Sequence, residues 1–358
     1  MKIGLKSPRS GPGRGSFRIV PGFLLLFLIP VECLAQKQLL PVLVEGRAGY
    51  INESGGMVIP PQFLESHPFS DGLALVRKGK DPHLTDNRLG YVNPEGEFHE
   101  IPGASVLGEY REGLARAQFS SRRYFLSTSW CFIDLTGSLV IRSEYDDVGD
   151  FSEGLAWVEV RIHVLFFLIS DTFGYIDRTG APAIPVRFES AGNFSEGLAN
   201  VTLKGKKGYI NHKGEFVIAP RFDGVGPFST GLAAVRIGDR WGFVDTLGSM
   251  VIPPTFEDAR PFFDGLAAVK SGGTWGFIRR SGETAIAPQY SGVSGFHQGL
   301  SAVQIGEKWG YIDTTGALRI GPQFDYAMAF WDGAATVEVE HRRGYIDLAG
   351  QYIWRPGN

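Results

Sequence analysis

Trp241-Gly242-Phe243-Val244-Asp245-Thr246-Leu247-Gly248-Ser249-Met250-Val251-Ile252-Pro253 decides the fold, with Phe262-Phe263-Asp264-Gly265-Leu266-Ala267-Ala268-Val269 downstream. The first run opens on a short aromatic and β-branched strand. It turns at Asp245 and Gly248, three residues apart, where a side-chain oxygen can cap the turn and Gly can take positive φ. A second strand follows and is ended by Pro253, which has no N–H to give a ladder. The Gly-Leu-Ala run is a third strand. It enters the next unit through Ser271-Gly272-Gly273, a hairpin turn.

This unit recurs along the chain. Its Gly-aromatic-Ile/Val head stands at residues 49, 90, 174, 208, 242, 276, 310 and 344, with a ninth copy at Cys131-Phe132-Ile133 where Cys replaces Gly. Gly follows every head by six residues, and a second Gly, opening the Leu-Ala strand, follows the first eight heads by 23. Head-to-head steps are 41, 41 and 43 residues, then 34 five times, so the extra length of the first three units lies in the hairpin before the next head. Aromatic residues recur at plus 14 and plus 20, in a crossing that reads as irregular. Each unit is therefore a three-stranded antiparallel meander that needs neighbours to bury its aromatic face. The fold is expected to be all-β, a tandem array of about nine such meanders over residues 36–358. Because no module is split between the chain ends, an open curved array is expected rather than a closed β-propeller.

Composition agrees with this. The 358 residues include 48 Gly, too many for helices, yet 43% are hydrophobic and 13% aromatic, enough for a core. Nine Gly close the first turns, eight open the Leu-Ala strands and eight sit in heads.

Residues 1–35 stand apart. Lys2, Lys6, Arg9, Arg14 and Arg18 precede an apolar run, Phe23–Ile29, and then Cys33-Leu34-Ala35. That order is a secretory signal design, with cleavage expected near Ala35 and a secreted, periplasmic or cell-surface product. The segment holds five basic residues and one acid, which leaves 30 basic and 37 acidic residues in 36–358. A net charge of −7 argues against nucleic-acid partners. With Cys33 in the signal, Cys131 is alone and no internal disulfide is expected.

The pattern resembles the WG-repeat family over roughly residues 41–356. Trp241-Gly242-Phe243, Trp275-Gly276-Phe277 and Trp309-Gly310-Tyr311 match its head, while Ala48, Leu89, Phe173, Lys207 and Arg343 stand where Trp is expected. The resemblance implies a general binding scaffold and no shared catalytic residues. No metalloprotease helix, paired-Cys site, phosphate loop or nucleophile elbow occurs, and the seven His lack ligand spacing. No catalytic residue, metal or cofactor is expected.

Three sets of residues are candidates for binding. Trp241, Trp275 and Trp309 repeat at 34 residues and form either an exposed aromatic stripe or part of the core, with core favoured. Asp71, Glu112, Glu153, Glu196, Asp264 and Asp332 precede the Gly of Gly-Leu-Ala, as turn residues or as a carboxylate row. The long hairpins are the stronger set: Arg122, Arg123 and Phe125 in one, and Leu165, Phe166 and Phe167 in the apolar 164–169 run of another. Such a run in an insertion points to a protein partner or a membrane contact. The function expected is a non-catalytic secreted or cell-envelope scaffold binding a protein partner. A carbohydrate or cell-wall (glycan) binding module is the first alternative and an enzyme with an unrecognised site the second. Deleting 162–170 is expected to leave the unfolding transition cooperative while removing partner or membrane association; a lost transition would make the run structural.

Overall fold

Strict spacing in the sequence becomes strict repetition in space. The computed structural model describes residues 39–80, 87–119, 130–164 and 167–355, with side chains of 162–169 excluded. The signal-like segment, Arg122, Arg123, Phe125, Leu165 and Phe166 lie outside the described residues. Among the described residues every regular element is a strand, in nine small antiparallel sheets. We call these blades 1–9; they span 40–63, 65–100, 104–142, 147–188, 190–222, 224–256, 258–290, 292–324 and 326–354.

Blade 6 shows the pattern. Its strands are Gly224–Ser229, Leu232–Ile237, Arg240–Asp245 and Met250–Phe256, in that spatial order. The last three are the expected meander. The first corrects the sequence reading, because the crossing taken as irregular contributes a fourth, innermost strand in blades 2–9. That strand gave little signal. It is only two residues long in blades 4, 5, 8 and 9. In blade 6 its pairing is broken by a bulge between Val225 and Phe228.

The turns form as read. Asp245 Oδ1 accepts from the amides of Leu247 (3.0 Å) and Ser249 (2.7 Å), and Gly248 sits at φ +83°. The head Gly has another role. Trp241 pairs with Phe256 and Phe243 with Ile252, so the outer strand bulges over the head. A Cβ on Gly242 would lie 2.4 Å from the Ile252 carbonyl oxygen, and the heads at 49, 174, 208, 276 and 310 are as closely covered. At the Cys131 head blade 3 lacks this bulge: Cys131 pairs with Arg142 and Phe132 with Ile141 in straight register. Its thiol is buried and lies 3.2 Å from the Ala117 carbonyl, and burial raises its pKa.

Neighbouring blades are joined by a repeated set of contacts. The head aromatic of each of blades 1–8 packs against an aromatic on the inner segment of the next, as in Tyr50–Phe69, Tyr91–Tyr110, Tyr175–Phe194 and Phe277–Phe296, with ring centroids 4.5–5.1 Å apart. Where the head is Tyr, its hydroxyl donates to a carbonyl of that segment. Tyr50 reaches His67, Tyr91 Gly108, Tyr175 Gly192, Tyr209 Gly226 and Tyr311 Met328, at 2.7–2.9 Å. Burial pushes these phenols well above their ordinary pKa, which keeps them protonated as donors.

The open array expected from whole terminal modules is overturned, because the array closes into a nine-bladed propeller. Tyr345 of blade 9 donates to the Pro41 carbonyl of blade 1 at 2.8 Å, across 304 residues. Leu40, Val42 and Ile51 of blade 1 share one buried cluster with Ala334, Ile353 and Trp354 of blade 9. No split blade is needed, because blades 1 and 9 bury apolar side chains directly against each other. Gly242→Ala is expected to lower stability by at least about 2 kcal/mol through the clash with Ile252, measured by urea unfolding. Gly321→Ala, where a Cβ meets nothing within 4 Å, should stay within about 0.5 kcal/mol.

Candidate functional site

Antiparallel order places the acid-Gly turns and the Asx turns at one end of every blade and the hairpins between the second and third strands at the other. The acids of the acid-Gly turns do more than turn. Asp71, Glu112, Glu153, Glu196, Asp264 and Asp332 all have φ between +46° and +55°. The carboxylates of the first five accept from the Gly amide of the following blade: Asp71 from Gly113, Glu112 from Gly154, Glu153 from Gly197, Glu196 from Gly231 and Asp264 from Gly299, at 2.7–3.0 Å. Gln298 does the same for Gly333 at 2.8 Å. The carboxylate row is thus a ring of clasps between blades. Sequence reading found the acids but not their role, since the acceptor and donor lie 35–44 residues apart.

One position beside this ring changes character around the propeller. The residue after the inner aromatic is Ser in blades 2, 4, 5 and 6. Ser70, Ser152, Ser195 and Ser229 each donate to a backbone carbonyl of the next blade, at 2.6–2.8 Å. Blade 3 has Arg111 there, and blades 7, 8 and 9 have Phe263, His297 and Trp331. The last three form a ladder: Phe263 to His297 is 4.4 Å between centroids and His297 to Trp331 is 4.1 Å. Burial holds the His297 imidazole below its ordinary pKa, and the Asp264 carboxylate opposes this.

The ladder ends at a cavity of about 1010 Å³ bounded by blades 7, 8, 9, 1, 2 and 3, which share a wall of the central channel. On the blade 9 side Tyr326, Met328 and Trp331 are 46%, 48% and 60% exposed. Tyr326 and Trp331 are the most exposed aromatic side chains among the described residues. Opposite stand Glu109 and Arg111, paired at 3.0 Å, with His67 Nδ1 3.4 Å from Glu109. Arg260 lies 5.0 Å above the Trp275 ring and donates to the Val293 carbonyl at 2.9 Å. The arrangement can stack a ring, grip an apolar side chain and offer both signs of charge. Among the described residues no group of three His, Cys, Asp or Glu side chains converges as for a metal.

The residues singled out from sequence fall in several places. Trp275 is buried, while Trp241 and Trp309 are half-buried and pack into the blade cores. Trp275 and Trp309 also reach the cavity wall; Trp241 does not. Phe167 begins the third strand of blade 4, Phe167–Asp177, whose hairpin with Leu155–Val164 has the longest strands among the described residues. Trp331 was not singled out. Its signal was available, as the aromatic at a place where other units have Ser.

Comparison with known proteins gives the family. The model of the WG containing repeat matches residues 49–80, 130–161, 173–206, 208–241, 241–275, 275–309 and 309–340. The chain therefore belongs to the WG-repeat family. No curated protein matches the sequence. Among solved structures, a crystal structure of the eukaryotic initiation factor is 11% identical with a TM-score of 0.60, over 89% of this chain and 95% of that one. The likeness is one of fold alone. The β-propeller domain of the Trilobed protease from Pyrococcus furiosus is 10% identical, TM-score 0.41, over 83% and 99%. AztD from Citrobacter koseri, without ligand, is 12% identical, TM-score 0.43, over 79% and 93%.

The depressed His297 pKa gives a test. The neutral imidazole is favoured in the folded chain, so its contribution is complete above the unfolded value near 6.5 and is lost as pH falls through the lower folded value. Thermal unfolding of the protein and of His297→Gln from about pH 7.5 to about pH 5 should show the wild type losing stability relative to the variant only below about pH 6.5. Parallel pH profiles would refute the burial of the ladder.

Proposed function

As a WG-repeat chain folded into a nine-bladed propeller, this protein is, we propose, a non-catalytic binding scaffold of the cell exterior or envelope. It holds a protein partner at the blade 9 wall of its channel. The observation that carries this reading is the exposed Tyr326, Met328 and Trp331 patch, reached through a ladder that replaces the Ser clasps of other blades. Aromatic and Met side chains are enriched where proteins dock, and Met adapts its shape to a partner. The departures that line the cavity, Arg111 and Trp331, are a guanidinium and an indole rather than a nucleophile with a base, which supports binding over catalysis. The basic and then apolar N-terminal sequence supports export. No metal or cofactor enters the reading.

A sugar ring is the second candidate. Trp331 offers an exposed ring face beside Asp332, which suits stacking with hydrogen bonds at its edge. Immobilised protein and Trp331→Ala, exposed to envelope extract and separately to peptidoglycan and glycans, separate the two. The expected result is a protein captured by the wild type and reduced at least about tenfold by the substitution. Glycan retention that depends on Trp331 would favour the sugar reading, and equal capture by both forms would remove the site. N-terminal sequencing of exported protein should begin at Gln36.

A further inference from the structure

Blade 1 has three strands, Leu40–Val44, Arg47–Ile51 and Met57–Phe63, where every other blade has four. Among the described residues Leu40–Val44 pairs only with Arg47–Ile51, so its channel-side edge has no strand against it. The other eight blades show what such an edge receives: a short antiparallel strand whose aromatic packs on the head of the preceding blade. The head preceding blade 1 is Tyr345, and among the described residues no inner-segment ring stands over it.

Its hydroxyl records the difference. In blades 3, 5 and 9 the amides of Gly108, Gly192 and Met328 donate to the second-strand carbonyls of Arg116, Asn200 and Thr336. The carbonyls of the same three residues take the hydroxyls of Tyr91, Tyr175 and Tyr311. Pro41 is the counterpart of Arg116, Asn200 and Thr336, and Tyr345 bonds its carbonyl directly. Pro41 has no N–H, but this place is used through its carbonyl. A cavity of about 970 Å³ runs along the edge, between Pro41–Val44, the Ser66–Pro68 stretch of blade 2 and Met328, Thr336 and Tyr345 of blade 9.

The chain's own preceding residues fit this place poorly. Continuing the register back from Leu39, the counterpart of Leu73, puts Ala35 where Phe69 stands in blade 2 and Lys37-Gln38 where Asp71-Gly72 turn. There is neither the ring nor the Gly that the positive-φ turn uses. Free strand edges flanked by a side-chain pocket are how extended peptides bind by strand addition.

We propose that the channel-side edge of blade 1 takes an extended segment of a separate protein, added antiparallel to Leu40–Val44, with a Phe or Tyr seated on Tyr345. An amide of the incoming strand takes the Pro41 carbonyl, and the Tyr345 hydroxyl passes to the carbonyl of the same residue, as in blades 3, 5 and 9. This deepens the scaffold reading and rests on it, but it uses Tyr345 and not Trp331.

The probe is a fluorescein-labelled peptide copying residues 64–72, Leu-Glu-Ser-His-Pro-Phe-Ser-Asp-Gly, titrated with the exported protein, residues 36–358, and read by polarisation. Saturable binding is expected, weakened at least about tenfold by Phe69→Ala in the peptide or Tyr345→Ala in the protein. Tyr345→Phe, which keeps the ring should the Ala variant misfold, should stay within about threefold. Trp331→Ala should leave peptide binding unchanged. Loss on Trp331→Ala but not on Tyr345→Ala overturns the proposal and leaves the channel reading standing, as does no binding up to about 1 mM while Trp331-dependent capture persists. Peptide-sensitive dimerisation in light scattering makes the occupant a second copy and overturns the proposal.

Discussion

Each blade is completed by the next one. The head aromatic of one blade is capped by a ring from its successor, its hydroxyl is satisfied by the successor's backbone, and its turn carboxylate holds the successor's Gly amide. A lone small meander is marginal in water, and an aromatic pair adds about 0.5–1.5 kcal/mol beyond the burial of its area. Stability therefore lies between blades as much as within them. A chain built this way leaves one head without a successor, and joining Tyr345 to blade 1 removes two exposed blade faces together. Closure uses a variant of the contacts that make the array, with the Tyr345 hydroxyl taken by Pro41.

That economy gives the departures their meaning. Where four blades use Ser to tie the next backbone, blades 7, 8 and 9 spend the position on Phe263, His297 and Trp331. The tie is exchanged for a line of rings that ends exposed in the channel. At the same seam, blade 1 meets blade 9 with an edge that is unpaired among the described residues and with Tyr345 turned onto Pro41. The two features, a stacking surface and a strand edge, share one sector of the ring.

Much of the fold was legible before any coordinates. The Asp245–Gly248 turn, the strand ended by Pro253 and the hairpins at Gly272-Gly273 all rest on local chemistry, which neighbouring residues alone can specify. The inner strand was not legible. Gly224-Val225-Gly226-Pro227 has no strand periodicity and becomes a strand only because Val225 and Phe228 find Val235 and Ala233 beside them. The carboxylates were counted correctly and their clasps missed, because the donor belongs to a different blade. Trp331 stands at a broken repeat position that the sequence reading passed over, and its exposure is a property of the assembled blades.

The sequence by itself determined the repeat, its period, its turns and the all-β class, since each is written within some 34 residues. Only the tertiary structure decided closure, the fourth strand and the site. These depend on how blade 9 meets blade 1, and small angular increments between blades, invisible in any one unit, add up over nine to bring Tyr345 to Pro41.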